Sequence, residues 1–193
     1  MQSLAKRRGA YNHFVAGFLV RQFARERNLV LAGFMGAGKT TVGRLLARKL
    51  SRRFVDMDEE LSRRHRLPVG EIFVRHGEEL FRHWERELAC GLAQEKNLVL
   101  ALGGGTLEDE VSADELAVFG FIVYLQAPFE TLWERISNDG AFRPLVERLG
   151  RDGLEQLLAA RSENYEERSH LVVHTEGLTP EVIIKVIQHG FKY

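Results

Sequence analysis

The chain is poor in several things at once, and each shortage closes off a class of function. Among 193 residues there is one cysteine, Cys90, so no internal disulfide can form and no second thiol is at hand for a zinc site. A reducing, cytoplasmic setting is the expectation. No apolar run approaches the roughly 20 residues of a membrane span, so a soluble protein is expected. Lysine plus arginine number 27 and aspartate plus glutamate number 27, leaving a formal net charge of zero. There is then no global field to gather nucleic acid, and any anion binding must be local. The seven histidines show no metal-ligand spacing; His76 and His83 are two helical turns apart, but Gly77 intervenes, and all seven read as surface or capping residues. The length suits one α/β domain with a well-buried core and is too short for two.

What is present is organised around Gly33-Phe34-Met35-Gly36-Ala37-Gly38-Lys39-Thr40, which fits G-x-x-x-x-G-K-[ST]. An apolar run, Leu29 to Ala32, precedes it, and a helical pattern, Thr41 to Leu50, follows. That is the strand, loop and helix order of a phosphate-binding loop. Its glycines let successive N–H groups point inward, and the helix start adds the positive end of its dipole. Gly36, Ala37, Gly38, Lys39, Thr40 and Thr41 are the candidate ATP-binding residues, with Lys39 reaching the β- and γ-phosphates and the Thr40 hydroxyl ligating Mg²⁺.

Further along, Phe54 to Asp58 reads as a short strand ending in acid, with Asp56 and Asp58 on one face toward the loop. One carboxylate could hold the metal through water and the other accept a proton from an attacking hydroxyl. A helix cap by Asp58 is compatible with either role. Val69 to Arg75 reads as a short helix ending near Gly77, and Glu78 to Gln94 as a long packed helix carrying Arg82 and Glu85 three apart. On spacing alone that pair is a surface ion pair. The apolar run Leu98 to Leu102 reads as a buried parallel strand, and Gly103-Gly104-Gly105 directly after it favours ligand binding over a linker. Phe121 to Leu125 is a further strand, followed by a helix from Pro128 to about Ser137. Residues 138–150 have few apolar anchors and carry Arg143 and Arg148, so they read as either a solvated loop or a cationic lid. Leu154 to Arg168 is helical with Arg161 and Tyr165 on one face; Leu171 to Val173 is a fifth strand, and Thr179 caps a closing helix that runs to Gln188.

Residues 1–28 differ from the rest. Six basic residues there face one acid, Glu26, and Phe14, Val15, Phe18, Leu19 and Phe23 recur at helical spacing. A basic N-terminal extension is expected, docked on the domain or on a partner, with organellar targeting as the other reading. Residues 29–193 form the expected single domain.

With these residues in order, the chain closely resembles the shikimate kinases, P-loop kinases of the nucleoside-monophosphate kinase type. The resemblance rests on Gly33 to Thr41, Asp56-Met57-Asp58, Phe81-Arg82 with Glu85, Gly103 to Gly105, Arg143-Pro144-Leu145, and Arg161 with Tyr165. It runs from about Asn28 to the C-terminus; the extension has no counterpart in short family members, and Val146 stands where a second leucine is usual. It implies a three-layer α/β/α fold with a five-stranded parallel sheet and a mobile lid. It also implies ATP-dependent phosphorylation of the 3-hydroxyl of shikimate, with Mg²⁺, in a cytoplasmic monomer. Carried over residue by residue, Lys39, Asp58 and Arg143 are catalytic, Asp58 as general base and Arg143 over the phosphates. Thr40 and Asp56 organise the metal. Asp58, Arg82, Gly103, Gly104, Gly105 and Arg161 bind the acceptor, with Arg82 and Arg161 clamping its carboxylate, Glu85 orienting Arg82, and Arg135 a further candidate beside adenine. The alternatives are a kinase for another small polyol acid, such as gluconate, and a catalytically idle binding module.

Overall fold

The computed structural model describes residues 26–140 and 143–191. Most of the basic extension, residues 1–25, lies outside the described residues. In chain order the elements are β1 (Asn28–Ala32), α1 (Lys39–Leu50), β2 (Arg53–Asp56), α2 (Met57–His65), α3 (Val69–Ala93), β3 (Leu98–Ala101), a 3-10 turn (Thr106–Glu108), α4 (Glu110–Phe119), β4 (Gly120–Gln126), α5 (Phe129–Asn138), α6 (Pro144–Glu167), β5 (Leu171–His174) and α7 (Pro180–Gly190).

All strand pairings are parallel, in the order β2-β3-β1-β4-β5, with helices on both faces. The continuous apolar runs explain this: β1 and β3 are buried at every position, which only a sheet covered on both faces allows. Leu29 pairs with Val99 and with Phe121, so β1 sits between β3 and β4 at the centre. Because β1 and β3 are neighbours, the loops leaving their carboxyl ends lie side by side, at the edge where open α/β sheets bind ligands. No helix among the described residues is long and apolar enough to cross a membrane.

Three sequence expectations need correction. The acidic strand is shorter than Phe54 to Asp58: β2 ends at Asp56, whose side chain accepts from the N–H groups of Asp58 and Glu59 and so caps α2. The cap is therefore Asp56, and Asp58 lies in the first helical turn. Residues 144–149, read as loop, are helical. Pro144 occupies the first turn, and Leu145, Val146 and Leu149 pack against the core, supplying the apolar anchors that the sparse composition concealed. Gly150, at φ 62° and ψ −170°, interrupts α6 there. Gly77, at φ 80° and ψ 167°, does the same to α3, where a break was expected.

One buried polar residue ties the core's edge together. Asn28 is 1% exposed at the start of β1. Its amide donates to the carbonyls of Leu92 (3.3 Å), Ala93 (3.3 Å) and Glu95 (2.7 Å), and its Oδ1 accepts from Leu98 N–H (3.0 Å). It satisfies the last carbonyls of α3 and the first N–H of β3 together. Asn28→Leu keeps the shape but strands these groups, and is expected to lower stability by about 2–4 kcal/mol in urea unfolding. A loss under about 1 kcal/mol would mean that water replaces the amide.

Candidate active site

The phosphate loop starts where β1 stops. Gly33, Gly36 and Gly38 have φ of 139°, 78° and 89°, the left-handed region that glycine tolerates best. Gly33 is also required for space, since a Cβ there would lie 2.7 Å from the Leu125 carbonyl oxygen. Gly38 is the N-cap of α1 and offers no side chain to its first N–H groups, and that first turn holds no acid. These donors and the helix dipole form an anion site. The half-buried Lys39 ammonium donates to the carbonyls of Gly33 (2.7 Å) and Phe34 (3.1 Å), which fixes it inside the loop. The surrounding protein mass pushes its pKa down, while Asp58 and Asp56 oppose that shift.

Beside the loop, the Thr40 hydroxyl donates to Asp56 Oδ2 at 2.6 Å, and Asp56 Oδ1 accepts from Asp58 N–H at 3.1 Å. The pair offers hard oxygen donors of the kind Mg²⁺ takes, with room left for water and phosphate oxygens in its coordination. No cluster of three or more His, Cys, Asp or Glu side chains occurs among the described residues, so an all-protein metal cage is absent from them. Asp58 is exposed in the first turn of α2, with its Oδ1 beside Gly103. Desolvation there, then the Asp56 charge, raise its pKa from 3.8 to about 6, against the pull of Lys39.

The glycine run after β3 collects the remaining side chains, each glycine leaving room for a different one. A Cβ on Gly103 would overlap Glu85 Oε1 and come within 3.2 Å of Asp58 Oδ1. On Gly104 it would touch Arg161 Nη1 at 3.5 Å, and on Gly105 it would lie 2.6 Å from Arg82 Nη1. The run's value is therefore space, since none of these three adopts a left-handed φ. Arg82 on α3 and Arg161 on α6, 79 positions apart in sequence, flank consecutive glycines at one point. The Arg82–Glu85 pair is no surface ornament: Nη1 lies 2.6 Å from Glu85 Oε2, and Glu85 is 4% exposed. The Arg82 guanidinium also sits over the rings of Phe81 and Phe73, 5.4 and 5.8 Å from their centroids. Tyr165, buried, donates to the Gly104 carbonyl and so fastens α6 to the run.

Arg143 pairs with Asp139 and acts electrostatically on Lys39, which places it on the phosphate side of the cleft. Its Nε is buried with no hydrogen-bond partner among the described residues. Arg148 lies 3.9 Å from Glu78, and Arg135 Nη1 donates to the Gly36 carbonyl at 3.1 Å, bracing the phosphate loop. Of the residues singled out in the sequence, Lys39, Thr40, Asp56, Asp58, Arg82, Gly103 to Gly105, Arg143 and Arg161 thus gather around one cleft, with Gly36, Ala37 and Gly38 forming its loop; Thr41 is exposed on α1. Thr106 is not singled out by any motif spacing. Its signal is a polar residue directly after three glycines, at the start of a turn that buries it.

Comparison with known proteins agrees with this geometry. A sequence model described as shikimate kinase matches residues 35–190. A shikimate kinase of Persephonella marina is 37% identical over 161 residues, covering 83% of this chain and 96% of the relative. The solved structure of shikimate kinase from Acinetobacter baumannii in complex with shikimate superposes with a TM-score of 0.80 at 36% identity, covering 84% of this chain and 91% of that one. A gluconokinase from Sinorhizobium meliloti shares the fold, with a TM-score of 0.53 at 18% identity over 86% of this chain and 91% of its own. Matched over most of its length by the family's sequence model and by a relative of well over 30% identity, the chain belongs to the shikimate kinase family, whose reaction is the ATP-dependent phosphorylation of shikimate.

Proposed function

We propose that this chain transfers the γ-phosphoryl group of ATP in line to the 3-hydroxyl of shikimate, with Asp58 as general base. The observation that carries the reading is the convergence of Arg82 and Arg161 on Gly104 and Gly105, one strand spacing from the phosphate loop. Two guanidinium groups at one point suit a carboxylate, which they can hold by charge-assisted hydrogen bonds. Asp58 lies beside Gly103 and acts electrostatically with both Arg82 and Lys39, which suits it to a hydroxyl held between the clamp and the phosphates. With a pKa of about 6 its carboxylate is ionised at neutral pH and still basic enough to take the proton as the hydroxyl attacks. Lys39 and the first N–H groups of α1 hold the β- and γ-phosphates, and Arg143 adds positive charge where it develops in the transition state. Thr40 and Asp56 are the residues that would hold Mg²⁺, which when bound neutralises phosphate charge. Residues 138–150, with Arg143, serve as the lid. The chain acts as a monomer in the cytoplasm, and the basic extension ends before Asn28, which is already the first residue of β1.

A coupled ADP-release assay with Mg·ATP tests this directly: turnover is expected with shikimate and not with gluconate, and folded protein without shikimate turnover would sink the reading. Chelation with EDTA should abolish turnover, and Thr40→Val should raise the Mg²⁺ concentration needed for half-maximal rate; an unchanged requirement would remove Thr40 from the metal site. Arg82→Ala is expected to raise the KM for shikimate at least about thirtyfold while sparing the KM for ATP. Unaltered shikimate kinetics in that variant would refute the clamp.

Asp58→Asn should lose about a hundredfold or more in kcat while retaining Mg·ATP binding. In the parent, kcat/KM should fall about tenfold per pH unit below pH 6. The stability effect runs the other way. Because the folded protein raises this carboxyl from 3.8 to about 6, its ionised form costs stability at pH above 6, less between 6 and 4, and nothing below. With water screening part of the effect, Asp58→Asn should be more stable by on the order of 1 kcal/mol at pH 8 and no different at pH 3.5. A variant that is less stable than the parent at pH 8 would contradict the raised pKa.

A further inference from the structure

The acceptor clamp depends on a side chain that touches no substrate. Glu85 is a buried carboxylate on α3, and a buried charge is tolerated only when its lone pairs are met by donors. Its two oxygens are met separately. Oε2 takes Arg82 Nη1 at 2.6 Å, and Oε1 takes the Thr106 hydroxyl at 2.8 Å. Thr106 is 1% exposed and is held by the turn that follows the glycine run, its N–H donating to the Gly103 carbonyl at 3.2 Å. The Gly103 carbonyl is also within 3.1 Å of the hydroxyl, but the single hydroxyl hydrogen makes the stronger bond to the closer, charged acceptor.

From this chain of contacts we propose that Thr106 is a positioning residue for shikimate binding: its hydroxyl fixes the Glu85 carboxylate, which in turn aims the Arg82 guanidinium at the acceptor's carboxylate. This rests on the role given to Arg82 above. The geometry leaves Glu85 little alternative support. Oε1 fills the space a Gly103 side chain would take, and with Glu85 4% exposed water offers it little support there. Without the hydroxyl, Oε1 is buried and unmet, and the carboxylate gains by turning away from Arg82 to find another donor. The guanidinium then keeps the exposed Glu78, 3.3 Å from its Nη2, as a competing partner. The expected result is an arginine that is still charged and still present but aimed elsewhere. Among the described residues no hydrogen bond joins this relay to the phosphate loop, so the KM for ATP should not feel it.

The test is steady-state kinetics of Thr106→Val, which keeps the branched shape, with Thr106→Ser and Arg82→Ala run alongside. Thr106→Val is expected to raise the KM for shikimate about five- to tenfold, with the KM for ATP within about twofold of the parent; Thr106→Ser should restore the shikimate KM to within about twofold. Thr106→Ala, which adds no atom, carries the same expectation should the valine variant not fold. A shikimate KM within twofold of the parent in Thr106→Val or Thr106→Ala overturns the proposal, as does a parallel loss in kcat and both KM values, which marks a general structural defect. A raised shikimate KM in Arg82→Ala with none in Thr106→Val overturns the positioning role alone; an unchanged KM in Arg82→Ala overturns the clamp on which it rests.

Discussion

The hydrogen bond from Leu102 N–H to the Leu31 carbonyl, 3.0 Å long, is the last rung tying β1 to β3, and the site depends on it. Beyond Leu31 the chain turns into the phosphate loop; beyond Leu102 it turns into the three glycines. Parallel strands lie about 4.8 Å apart, so the loop that holds the phosphates and the loop that receives the acceptor's side chains begin one strand spacing from each other. No flexible linkage intervenes. The distance between donor and acceptor is thereby set by the β1–β3 pairing, and the helices bring charges to that point.

Those charges are close to balanced, as in the chain as a whole. Lys39, Arg82, Arg143 and Arg161 meet Asp56, Asp58 and Glu85 around one cleft. Each is pinned by a neighbour: Lys39 by loop carbonyls, Asp56 by Thr40 and two N–H groups, Glu85 by Arg82 and Thr106. Asp58 is the exception. Desolvation and the like charges of Asp56 and Glu85 outweigh the pull of Lys39 and Arg82 on its side chain, and its basicity is raised in consequence. The residue least well accommodated by the fold is the one assigned the proton.

Much of this was legible in the sequence. The phosphate loop declares itself by fixed glycine spacing between an apolar run and a helical pattern, and uninterrupted apolar runs mark strands covered on both faces. The clamp was not legible from spacing: Arg82 and Glu85, three apart on a helix, look like any exposed pair until the sheet order brings Gly103 to Gly105 against them. Asp56 and Asp58 converge for a reason different from strand alternation, because the strand gives way to a helix between them and an N-cap is indistinguishable by residue type from a strand's acidic end. The first turns of α6 were hidden by composition, since three apolar residues among charges suffice when they fall on one face. Thr106 shows in the sequence only by its place after three glycines, because a hydroxyl's worth depends on a carboxylate 21 positions earlier in the chain.

The two glycine breaks in the long helices fall at similar places. Gly77 lies five residues before Arg82 and Gly150 eleven before Arg161, and neither has an atom within 4 Å of where a side chain would be. Each helix is in effect jointed, with a distal arm, residues 69–76 or 144–149, ahead of a proximal segment that carries the arginine. Both arms are packed against the core, one through Ile72 and the other through Leu145, Val146 and Leu149, so each glycine sets the angle at which a wall of the cleft leaves the helix that carries the arginine.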